Sequence, residues 1–224
     1  MPSNTPFLAV AALACVAAAP APRDTLLRAA FLTHDKAQAL ALVGDAYQQT
    51  TATLAASPGD KEARLQQALA IGYRGQLKRS PADAKATRDA LTALVRAYPR
   101  DPEVEIAYAG WHLTAVDQLG SFLARTVLGA DKATGLAALD KAVALGGNRA
   151  FFPAFAAMIR VRLDPKDTAA AASLADRAAA AATPTQLDRV MQRAAQRIAV
   201  PLHAGNGAGA AALAKQLLPF GTIA

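Results

Sequence analysis

The chain has 224 residues, a formal net charge of +7, 53% apolar, 18% charged and 5% aromatic residues. That length supports one or two domains with a real core, and Ala, the best helix former, supplies much of the apolar fraction. β-Branched residues never alternate with polar ones over a strand length, no dense Lys/Arg run occurs and no nucleic-acid-binding motif is present, which argues for an all-α fold and against a nucleic-acid partner.

Residues 7–19 read FLAVAALACVAAA. The run matches a signal h-region and is too short for a membrane span, which needs about 20 apolar residues. Val16-Ala17-Ala18 fits the small-x-small cleavage pattern. Residues 1–18 are therefore expected to be a signal peptide and 19–224 a single helical domain. Residues 2–6, PSNTP, carry no Lys or Arg, so the n-region has only the terminal amine. The expected location is the bacterial periplasm or the exterior. Ala12-Leu13-Ala14-Cys15 gives lipid anchoring through Cys15 as the alternative. Cys15 is the only cysteine, so a mature form starting after it has no thiol for a disulfide, a nucleophile or a Cys-based metal site.

Past that segment, stop and start signals recur. They fall at Ser57-Pro58-Gly59-Asp60, Ser80-Pro81-Ala82-Asp83, Pro99-Arg100-Asp101-Pro102, Gly146-Gly147-Asn148, Asp164-Pro165-Lys166-Asp167, Thr183-Pro184-Thr185 and Gly205-Asn206-Gly207. Ser80 and Asp101 are N-caps followed by Pro, whose missing N–H costs nothing in the first helical turn. Asp164-Pro165 repeats the logic, with Asp167 placed as the acidic member of a capping box. The predicted helices are about ten: 25–33, 36–56, 61–78, 82–97, 103–127, 132–145, 149–162, 166–181, 185–203 and 207–218. Short links make neighbours antiparallel, and a lone hairpin buries only one stripe, so hairpins are expected to stack.

Ala86, Ala90, Leu94 and Pro99 place small and apolar residues along one helix with Pro at its end. Gly135, Leu139, Ala142 and Gly147 do the same with Gly for Pro, and Ala46, Thr50, Thr53 and Pro58 more loosely. On these residues, over roughly 36–184, the chain resembles the tetratricopeptide-repeat (TPR) family. The resemblance implies an α-solenoid of stacked antiparallel hairpins whose concave surface binds a protein or peptide.

No HExxH, Walker A, GxGxxG or GxSxG motif occurs, and His34, His112 and His203 have no second ligand at metal spacing. No metal, cofactor or catalytic residue is expected. Gly205–Gly209 reads as an interhelix loop with Asn206 or Gly207 starting the last helix. Tyr108, Trp111 and His112 lie together at i, i+3 and i+4. They form either an aromatic binding platform or a packing anchor, and the packing anchor is favoured. Ala107 and Gly110 would let a helix approach closely. Phe151, Phe152 and Phe155 cover more than one side of their helix, as in a helix buried between neighbours. Arg189, Arg193 and Arg197 form a basic stripe opposite Leu187, Val190, Met191, Ala194 and Ile198. A solvated face is the favoured reading there, and docking to an acidic partner or anionic headgroups is the functional one. Arg160 and Arg162 flank no obvious acidic pair and are expected to extend a basic surface. The function expected is a non-catalytic exported scaffold. The alternative is a small-ligand component of an envelope transport system, with an organic anion held near Tyr108, Trp111 and His112.

Overall fold

The computed structural model describes residues 20–223. Ten α-helices run through them: α1 Pro22–Leu27, α2 Lys36–Ala56, α3 Lys61–Lys78, α4 Pro81–Ala97, α5 Pro102–Leu123, α6 Lys132–Leu145, α7 Phe151–Leu163, α8 Thr168–Ala180, α9 Gln186–His203 and α10 Gly207–Leu217. Wider π-type turns extend α1 over Arg28–Leu32 and α5 over Ala124–Leu128. Consecutive helices pack as hairpins, and α7 also packs on α5, α9 and α10. The fold is an all-α stack of helical hairpins, as expected. The only strand-like feature among the described residues is an isolated parallel bridge between Arg149 and Ala182. The predicted signal peptide and Cys15 lie outside the described residues.

The punctuation acts through side chains. Asp35, Asp60, Ser80, Asp101, Asp131 and Asn206 each accept a hydrogen bond from a backbone N–H two or three residues on, satisfying donors that have no partner inside the helix. Two sequence expectations need correction. Asp167 makes no capping bond; instead Asp164 Oδ1 accepts from Lys166 N at 3.0 Å, closing an Asx turn, so α8 starts later than expected. The capping box that forms is Thr185 with Asp188. The unbroken helix expected over 103–127 is also kinked. Gly120 has φ 76° and ψ 155°, a region essentially closed to residues with a Cβ.

Alanine-rich faces pack closely. At Gly135 of α6, an added Cβ would sit 2.6 Å from Leu113 Cδ2 of α5, so only glycine permits that approach. α7 is buried on several sides, as its phenylalanines suggested. Phe152, Phe155, Ala156 and Ile159 belong to a core shared with α5 and α6. Ala154, Ala157, Met158 and Val161 belong to one shared with α8, α9 and α10.

The odd-numbered helices start at a common end, joined by charge. Arg23 of α1 pairs with Glu62 of α3 and Glu103 of α5. Arg149, just before α7, pairs with Glu103 at 2.7 Å and with Asp188 of α9 at 3.1 Å. Asp188 is fully buried, and it also accepts from Phe151 N at 3.1 Å and Thr185 Oγ1 at 2.6 Å. Burial works to raise the Glu103 carboxyl, but hydrogen bonds and charge from Arg23 and Arg149 outweigh it and hold the group below its ordinary value.

Past α10 the chain turns back. Phe220 N donates to Ala30 O at 2.8 Å, and the Phe220 ring meets Tyr73 edge-on at 5.0 Å within the core of α1, α2 and α3. Phe31 touches that core and the one around α9.

Asp188→Ala removes the Asp188 half of the α9 capping box and leaves Arg149 with a single carboxylate. It is expected to lower the unfolding free energy in urea by about 3–5 kcal/mol. A loss below about 1 kcal/mol would show that the cluster does not hold the helix starts together.

Candidate functional site

The three α5 residues singled out in the sequence are adjacent, and neighbouring helices set their roles. Trp111 is half-buried, and its Nε1 donates to Ala84 O of α4 at 3.0 Å. His112 is 3% exposed. Its ring stands nearly perpendicular to Tyr108 and Trp111, at centroid distances of 4.5 and 4.9 Å. Gly110 brings α5 against Phe155 Cζ, which an added Cβ would meet at 3.3 Å. The trio joins α5 to α4, α6 and α7.

Asp131 N, at the N-cap of α6, donates to His112 Nδ1 at 2.9 Å. Nδ1 is therefore an acceptor, and the neutral ring carries its proton on Nε2. Nε2 is buried with no hydrogen-bond partner among the described residues. Burial lowers the His112 pKa, as does the charge of Arg88, while Asp131 works the other way. A second proton would have to enter at Nδ1 and break the hydrogen bond from Asp131 N.

The basic stripe divides. Arg189, Arg193 and Arg197 are all exposed on α9 and have no salt-bridge partner among the described residues. Arg193 and Arg197 also border a cavity of about 280 Å³ where the two ends of the stack meet. One wall is Phe31 and His34, following α1. The second is Val190 and Ala194 of α9. The third is Leu217, Leu218 and Thr222 of the returning tail. No Asp or Glu lines it. No contact or cavity joins this groove to Tyr108, Trp111 and His112 among the described residues. His34 was visible in the sequence only as an isolated histidine.

Arg160 and Arg162 do not extend the basic surface freely. Arg160 pairs with Asp140 of α6, and Arg162 grips Asp117 of α5 at 2.7 Å. Both partners are distant in sequence, so local spacing hid them.

Beyond the kink at Gly120, Ala124 and Leu128 are buried and anchor the segment against Ala115 and Val116. Four large apolar residues around it are exposed, Leu119 just before the kink and Phe122, Leu123 and Val127 after it, with Phe122 at 80% exposure; Ser121, Arg125 and Thr126 between them are exposed as well. This ridge escaped the sequence reading because residues 103–127 look like one continuous helix.

Among the described residues, no group of three or more His, Cys, Asp and Glu side chains is placed to hold a metal ion. No helix there is long and apolar enough to cross a membrane. The fold and these surfaces define an all-α helical-hairpin stack. No protein-family model, curated protein or solved structure matches the chain.

Two predictions follow from the α5 cluster. Trp111→Ala opens the α4–α5 contact and is expected to cost about 3 kcal/mol in urea unfolding; an unchanged midpoint would make Trp111 a surface group. For His112, the unfolded chain takes up a proton below its ordinary value of 6.5, while the folded ring resists it. Stability should then fall as pH drops below 6.5. His112→Asn, whose side-chain oxygen can replace Nδ1 as acceptor, is expected to flatten the fall in stability below the ordinary value of 6.5 relative to wild type. An unchanged slope would clear His112 of that role.

Proposed function

We propose that the protein is a non-catalytic, exported, TPR-like interaction scaffold that holds a protein or peptide partner. One observation carries the reading: the exposed ridge of Leu119, Phe122, Leu123 and Val127. Scattered exposed apolar residues are ordinary, but a cluster of large ones mounted on a buried anchor is a feature of partner surfaces. Gly120 turns Phe122, Leu123 and Val127 out of line with the part of α5 that precedes it, through a backbone that only glycine adopts easily. The apolar run at residues 7–19 and the cleavage pattern at Val16-Ala17-Ala18 support export to the periplasm or beyond; lipidation at Cys15 is the variant of that reading. The stacked hairpins support the scaffold role by fixing the ridge on a rigid frame.

The test is site-specific photocrosslinking in the native host, with the reactive residue at position 122 and a control at exposed Lys166. One discrete heterologous adduct at 122, absent at 166 and lost in a Leu119→Ser, Leu123→Ser background, is expected. Phe122→Ser should leave the unfolding free energy within about 0.5 kcal/mol of wild type. No adduct, equal adducts at both positions, or an adduct with the mass of two copies of this chain would overturn the reading.

A further inference from the structure

We propose that the groove between the α1 extension, α9 and the returning tail is a binding site for a small organic monocarboxylate with an apolar body. It is independent of the Phe122 ridge and of the scaffold reading.

Three features define the ligand. The first is size. At about 280 Å³, the cavity sits at the lower edge of small-molecule clefts, which begin near ~300 Å³. It suits a chain of roughly ten carbons better than a folded partner. The second is the apolar part of the walls. Phe31, Val190, Ala194 and Leu218 present apolar surface, and covering it removes that area from water. The third is charge. Arg193 and Arg197 are one helical turn apart on α9, close enough for both guanidiniums to reach one carboxylate.

Elsewhere in the fold arginines at helix contacts are committed. Arg23, Arg74, Arg149 and Arg162 each grip a carboxylate of the chain itself. Arg193 and Arg197 border a cavity with no acidic lining residue. His34, Gln216 and Thr222 supply further polar atoms at its edge. The arrangement puts the carboxylate at the arginine rim and the apolar body along Phe31 and Leu218. Two guanidiniums on a single anionic head also explain why a neutral amphiphile of equal length should bind poorly.

The probe is decanoate, titrated into the full chain by calorimetry and by NMR of the histidine rings, with decanol and acetate as controls. The expected result is saturable one-to-one binding of decanoate, with decanol and acetate at least tenfold weaker. The His34 ring signals should shift, while those of His112 and His203, which do not line the groove, stay in place. The double variant Arg193→Gln, Arg197→Gln changes only exposed side chains and should weaken decanoate at least tenfold with the melting temperature retained. Phe122→Ser should bind decanoate as wild type does, which separates this site from the ridge. Equal binding of decanol, non-saturable uptake, an undiminished affinity in the double variant, or shifts at His112 and His203 without one at His34 would each overturn the proposal.

Discussion

Arg149 holds two carboxylates from different parts of the stack, and much of the architecture follows from that grip. Its guanidinium reaches Glu103 at the start of α5 and Asp188 at the start of α9 while lying just ahead of α7. Arg23 extends the line to α1 and α3 through Glu103 and Glu62. Charges withdrawn from water repay their desolvation only when geometry and hydrogen bonding are good. Asp188 meets that condition with backbone, hydroxyl and guanidinium donors together. The Arg149 guanidinium also lies 5.2 Å from the centre of the Phe152 ring, which ties the charged end to the α7 core.

Alanine alone would not impose one arrangement, because its faces slide past each other at little cost. Register comes from the exceptions. Gly135 admits Leu113, Trp111 hooks the Ala84 carbonyl, and His112 caps the amide of Asp131. Trp111, Phe152, Phe155 and Phe220 sit where helices of different hairpins meet, where their area contributes most to packing.

The helices were legible in the sequence because their ends are local. Ser80 followed by Pro81, or Asp101 by Pro102, needs only its neighbours to stop one helix and start the next. What escaped depends on residues far apart. The partners of Arg160 and Arg162 lie on α6 and α5, and the groove draws on residues near 31, 193 and 218. The adjacency of Tyr108, Trp111 and His112 could be read from helical spacing, whereas their hydrogen-bond partners could not. Gly120 did leave a trace: a Gly-Ser pair inside an apolar helical pattern is a known kink site.

The hydrogen bond from Phe220 to Ala30 spans 220 − 30 = 190 residues. An open row of repeats gains stability piece by piece, each unit leaning only on the next, and can melt from either end. Here the far end of the row is bonded to its beginning, so neither edge frays without the other. That contact couples the first helices to the last ones, and its very long sequence separation makes it entropically slow to form.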